Sequence, residues 1–177
     1  MAIGEAEKIE AVADASFLIG LCLISQWKLL AAVVKRLYVA PAVWEEVVVR
    51  GQGRPGVQEL RQASFIERRP AKNRKAVEML RVFLGPGEAE ALIVAQEVAC
   101  SAVFVDDLRA RKAAQAAGLR TVGVAGFLLA AKQRGLIQEV RPFLEALQQQ
   151  GFRLSRALIE AVSREAGEAL QGKHRSS

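Results

Sequence analysis

The side chains best suited to chemistry in this chain are acids at four places: Asp14 in Val12-Ala13-Asp14-Ala15-Ser16, Glu46 in Pro41-Ala42-Val43-Trp44-Glu45-Glu46, Glu88 and Glu90 in Gly85-Pro86-Gly87-Glu88-Ala89-Glu90-Ala91, and Asp106-Asp107 in Phe104-Val105-Asp106-Asp107. Each stands where a strand or loop hands over to a helix. Carboxylates gathered into one pocket repel, at a cost in free energy unless a cation neutralises them or some hold protons. Hard divalent cations with oxygen ligands are the natural answer. Other chemistries lack their residues. The single histidine, His174, lies in the polar tail Gly172-Lys173-His174-Arg175-Ser176-Ser177, so neither a Ser-His-Asp or Cys-His arrangement nor paired histidine acid–base chemistry can be built in the core. Cys22 and Cys100 lie in apolar stretches without a C-x-x-C pattern and read as small buried hydrophobes, which suits a reducing cytoplasm.

Every acid also has a plainer use. Asp14, with Ser16 after it, suits the N-cap of the next helix, and one of Asp106-Asp107 suits the cap of a helix from Leu108. Two adjacent acids exceed what one cap needs. Glu46 beside Glu45 fits a solvated helix face, and acids at a helix start are favoured by its dipole. Glu88 and Glu90 are two apart and point to nearly opposite sides of a helix, so one is expected as a ligand and the other as a structural partner. Basic residues form two groups, Arg68-Arg69 with Lys72, Arg74 and Lys75, and Arg109, Arg111 and Lys112 with Arg120. Either could be a solvated face; the second follows Asp106-Asp107 directly, where phosphates could be held. The net charge of +6 suits a polyanionic partner, while 6% aromatic content, with Trp27 and Trp44 in apolar periodic segments, makes base stacking a less obvious grip.

To bring such acids together the chain needs a layered fold, and at 177 residues with 51% hydrophobic content it can bury a substantial core. Short β-branched runs alternate with helical stretches, the pattern of a mostly parallel sheet covered on both faces. Strands are expected at Ile9–Ala13, Arg36–Val39, Ser64–Arg68, Ala102–Val105 and Arg120–Val122. Helices are expected at Ser16–Leu21, Trp27–Val34, Ala42–Val49, Val57–Arg61, Arg74–Phe83, Gly87–Ala99, Leu108–Ala117, Ala125–Arg134, Val140–Gln149 and Ser155–Ala166. Ligands of open α/β sheets bind beyond the carboxyl ends of strands, where Asp14 and Asp106-Asp107 fall. The apolar run Ala15–Ile24 is too short to cross a membrane, and the charged residues Glu5, Glu7, Lys8 and Glu10 argue against a secretory signal.

Taken together and in order, the four stations resemble a PIN domain, the nuclease fold of VapC-type toxins, and most closely a prokaryotic subgroup with D-x-S, P-x-V-x-E-E, G-E-A-E-A and D-D-x-x-A-R motifs. Here these are Asp14-Ala15-Ser16, Pro41 to Glu46, Gly87 to Ala91 and Asp106-Asp107-Leu108-Arg109-Ala110-Arg111. The resemblance implies a three-layer α/β/α fold with residues 1–8 as a tail, 9–151 as the nuclease domain and 152–177 as a C-terminal helix and polar tail. It implies a cytoplasmic ribonuclease using Mg2+ or Mn2+ to activate water against an RNA phosphodiester. Asp14, Glu46, Glu90 and Asp107 match the catalytic acids, with Asp106 and Glu88 as further metal-site acids. Ser16, Arg109, Arg111 and Lys112 are expected near substrate. Two positions depart from the common toxin pattern, Glu90 replacing an Asp and Val105 replacing a Thr or Ser, so a catalytically weak RNA- or protein-binding module is the alternative. An antitoxin protein and a second copy of the chain are the implied partners, with part of Ala15–Val34 as the pairing surface unless it is buried.

Overall fold

The computed structural model describes residues 7–168; the tail bearing His174 lies outside them. The described chain divides into two compact units, one ending at Val124 and one starting at Ala125.

The first unit is built on five parallel strands, β1 (Ile9–Ala13), β2 (Val34–Val39), β3 (Ile66–Arg68), β4 (Ala102–Phe104) and β5 (Thr121–Val122), in the order β3-β2-β1-β4-β5. The sheet is α/β as expected and parallel at every pairing. β1 is central, and Ala11, Val12 and Ala13 are all buried because both faces of the strand are covered. Chain order reverses at β1, with β2 and β3 to one side and β4 and β5 to the other, so the switch point opens beyond the carboxyl ends of β1 and β4. Register places Ala13 beside Phe104, which delivers Asp14 and Val105-Asp106 to the same edge.

Between the strands run α1 (Ala15–Leu23), α2 (Leu29–Val33), α3 (Pro41–Trp44), α4 (Val57–Gln62), α5 (Arg74–Leu80), α6 (Pro86–Val98) and α7 (Leu108–Ala116). α1 carries Phe17 under the carboxyl edge, where its ring stacks on Phe104 with centroids 4.7 Å apart. Three local expectations needed correction. β2 starts two residues earlier than expected and α2 ends at Val33, because Val34 pairs with Ile9. α5 ends at Leu80, leaving Val82 and Phe83 exposed. The segment expected as one helix over 42–49 changes from α to a π turn at Glu45–Val49. Gly51 closes that turn, since a Cβ there would stand 2.1 Å from the Val47 carbonyl oxygen and no side chain is tolerated.

The second unit holds α9 (Arg141–Gln149) and α10 (Arg156–Glu165), following α8 (Val124–Gln133), whose first residue still belongs to the first unit. Glu168 ties it together, accepting from Lys132 Nζ at 2.8 Å and from the backbone N–H groups of Val140 and Arg141 at 2.6 and 2.9 Å. Among the described residues, no helix is long and apolar enough to cross a membrane.

Candidate active site

Asp14 follows β1 and is 1% exposed. Its backbone N–H continues the sheet to the Phe104 carbonyl at 2.9 Å, while its carboxylate caps α1 by accepting from Phe17 N–H at 2.9 Å. The Ser16 hydroxyl lies 2.9 Å from both carboxylate oxygens. Ser16 is thus a partner of Asp14 itself. Burial pushes the Asp14 pKa up to about 7; the bonds from Phe17 and Ser16 pull it down, and the neighbouring charges of Asp106 and Glu88 push it up again. No Lys or Arg pairs with Asp14 among the described residues.

Asp106 leaves β4 at the same edge. Both its oxygens accept from Val124 N–H, at 3.1 and 3.2 Å, a bond that favours the anion. Gly123 makes the approach possible: a Cβ there would lie 2.8 Å from Asp106 Oδ1 and 3.3 Å from an Arg111 guanidinium nitrogen. Burial raises the Asp106 pKa to about 6, against the lowering effects of Val124 and Arg111. Asp107 has the other role that the pair allowed, capping α7 by accepting from Ala110 N–H at 2.9 Å. Glu88 is half-buried on the first turn of α6, and its Oε2 accepts from Gly85 N–H at 2.6 Å.

The remaining acids go elsewhere. Glu90 is 5% exposed and accepts from Arg74 at 2.5 Å, Ala71 N–H at 3.3 Å and Ala42 N–H at 3.4 Å, a buried knot joining α3, α5 and α6. Glu46 is exposed on the π turn and lines a separate apolar cleft with Ile19, Cys22 and Leu23. Asp106 and Glu88 are the acids whose charges raise the Asp14 pKa, while Glu90 is engaged by Arg74 and Asp107 caps α7. The different engagements are local in origin: residues two apart on a helix diverge, and α7 takes the nearer aspartate as its cap. Among the described residues no three Asp, Glu, His or Cys groups converge as a ready-made metal cage. The carboxylates are instead turned toward backbone N–H groups at helix starts.

Of the basic residues, Arg111 is half-buried and acts on Asp106, whereas Arg109 and Lys112 are exposed along α7. Cys22 and Cys100 are both free; Cys22 is buried and Cys100 half-buried. Glycine at 123, which clears the space for Asp106, is a site residue the spacing of acids did not reveal. Its signal was present only as a glycine directly before a helix.

A search of curated proteins finds no match to the chain. A family model described as PIN domain matches residues 10–168. Because that match runs from within β1 to the last described residue, the chain belongs to the PIN domain family, and its fold is of the nuclease type.

Proposed function

We propose that this PIN domain protein is a metal-dependent ribonuclease, with Asp14, Asp106 and Glu88 as the acids around the reacting phosphate. The observation that carries the reading is Asp14: a carboxyl buried at the switch point, near the charges of two further acids and, among the described residues, without an ion-pair partner. Such a group gains most from a cation. The donors are all oxygens, which suits Mg2+ or Mn2+, and Mg2+ is commonly held by only one or two carboxylates together with waters and substrate phosphates. Hydrogen bonding leaves lone pairs on Asp14 and on Glu88 Oε1 for such an ion. When bound, the ion would lower the pKa of a water and neutralise charge on the phosphate.

The chain's own groups have distinct parts in this reading. Ser16 and the Phe17 N–H orient Asp14. Val124 N–H and Arg111 hold Asp106 and favour its anion. Arg109 and Lys112, exposed on the helix that follows, are placed to meet flanking phosphates. Glu90 and Asp107 support the frame.

The test is purified protein with mixed RNA in Mg2+, Mn2+ or chelator, beside Asp14→Asn. Cleavage that needs metal and vanishes in the variant supports the reading. Failure with every metal favours the second reading, a catalytically weak module binding RNA or protein, which the engagement of Glu90 by Arg74 and of Asp107 by α7 favours. A toxin role within the first reading predicts a neighbouring small gene for an inhibitor. Most of α1 is buried, so pairing through Ala15–Val34 would have to use the partly exposed Ile19, Leu23 and Trp27 and the exposed Ala31; light scattering showing a monomer at high concentration would end the dimer proposal.

A further inference from the structure

β3 is the edge strand beyond β2, and strand alternation sends Ile66 and Arg68 to one side and Glu67 to the other. On the Glu67 side the arginines have a carboxylate partner, since Glu67 pairs with Arg36 at 3.4 Å and with Arg69 at 3.3 Å. On the other side they have none. There Ile66 and Arg68 join Trp44, Val49, Arg61 and Ala63 in an open groove of about 500 Å³ whose lining contains two guanidinium groups and no carboxylate. Among the described residues neither Arg61 nor Arg68 has an ion-pair partner.

Both arginines are nevertheless positioned. Arg61 donates to the Val48 carbonyl at 3.4 Å, and the Arg68 guanidinium lies over the Trp44 ring, 5.0 Å from its centroid. Stacking on an indole holds the planar fork while leaving its N–H edge for an acceptor, and that fork matches phosphate bidentately. Arg68 ends β3 on the carboxyl edge that carries Asp14 and Asp106, and with strands about 4.8 Å apart it is two strand steps, about 10 Å, from β1.

We infer that the Trp44–Arg68–Arg61 groove is a subsite for single-stranded RNA flanking the acid site, with the two arginines on phosphates and Trp44 fixing the plane of Arg68. The inference rests on the reading of the acid site as RNA-cleaving and names where the flank of that substrate is gripped. Single-stranded RNA fits better than an acidic peptide because the stacked guanidinium also offers a flat surface to an unpaired base.

The experiment measures binding of a labelled single-stranded RNA oligonucleotide by fluorescence anisotropy, in chelator, at several salt concentrations. Arg68→Gln and Arg61→Gln should each weaken binding by about tenfold, as expected for a lost bond to a charged group. Each should also lower the slope of log affinity against log salt by about 0.7. Arg68→Lys should keep the slope and still lose affinity, because charge remains while the fork is gone. Circular dichroism confirms folding; if Arg68→Gln does not fold, Arg61→Gln carries the test. Unchanged affinity and slope in the glutamine variants would overturn the inference, as would unchanged RNA binding with lost binding of a hexaglutamate probe, which would assign the groove to acidic peptides. RNA binding that depends on Arg68 without any metal-dependent cleavage leaves the subsite standing and removes the nuclease reading; cleavage with binding indifferent to both arginines does the reverse.

Discussion

Glu88 and Glu90 stand two residues apart on α6, and the fold treats them in opposite ways. Glu90 is buried against Arg74 and two backbone N–H groups, so its charge is compensated and its oxygens are occupied. Glu88 is anchored through one oxygen on Gly85 and adds its charge to that already crowding Asp14. The same contrast separates two whole regions. Around Glu90 a buried acid is matched by a guanidinium and fastens three helices; around Asp14 a buried acid meets the Ser16 hydroxyl, the start of α1 and the charges of Asp106 and Glu88, with no ion-pair partner among the described residues. Removing a partner from a compensated pair damages stability, whereas removing charge from an uncompensated cluster relieves it.

The largest effect is expected from Asp14→Asn. Metal-dependent RNA cleavage should fall by about 10²-fold or more, as when a group that stabilises transition-state charge is lost. Stability should move the other way, and only at the right pH. The folded pKa of Asp14 is raised to about 7 from its ordinary value of 3.8. Between these values the folded protein keeps a proton that the unfolded chain has lost, so stability falls as pH rises through this window and the penalty is complete above about 7. In chelator, Asn at 14 should therefore raise the melting temperature at pH 8 and change it little at pH 4. Equal shifts at both pH values would mean that ionisation of Asp14 is not the source of the cost.

The contrast on α6 is sharpest in a pair of variants. Glu90→Gln should cost about 2 kcal/mol of unfolding free energy, measured by urea titration, because hydrogen bonds to a charged acceptor are weakened and Arg74 loses its partner. Glu88→Gln should cost well under 1 kcal/mol, since glutamine can still accept from the Gly85 N–H as in a capping box, yet it should lower metal-dependent cleavage. The opposite pattern, with Glu88→Gln unfolding the protein and Glu90→Gln only losing activity, would reverse the assignment of the two residues.

Next in size is the aspartate pair. Asp107→Ala should cost about 1 kcal/mol through loss of the α7 cap, and Asp107→Asn only a few tenths, with cleavage retained in both. Asp106→Asn should keep the fold and impair cleavage. Loss of cleavage in Asp107→Asn would return Asp107 to the catalytic set.

The smallest effects belong to α7. Arg109→Ala should lower the salt slope of RNA binding by about 0.7, one single-strand phosphate contact, without changing metal affinity by calorimetry. Arg111→Ala should in addition let the Asp106 pKa rise further above about 6, because a cation that lowers it is gone, which a carboxyl NMR titration reads directly. An unchanged slope in both variants would make these arginines part of an ordinary solvated face.

Much of the frame is legible locally. β1 has the expected bounds, with Ala11, Val12 and Ala13 apolar and buried, and Asp14 ends it before a helix start. The capping roles of Asp14 and Asp107 follow from side chain and position alone, since an orphan helix N–H donates to the nearest short acid. The π turn at Glu45–Val49 was not legible, as a single extra residue per turn leaves almost no trace in hydrophobic spacing.

The sequence by itself determined the alternation of strands and helices, the parallel sheet and the acids at the carboxyl edge, because these depend on period, burial and turn chemistry among near neighbours. It also determined that only one of Glu88 and Glu90 could face a given point. Tertiary structure decided the partners of each, since Arg74 and Ala71 come to hold Glu90 while Gly85 holds Glu88. Likewise, Val124 comes to hold Asp106 where Gly123 leaves room for it, while Asp107 caps its own helix. Partners distant in sequence set the energy of a buried charge, and no spacing along the chain records them.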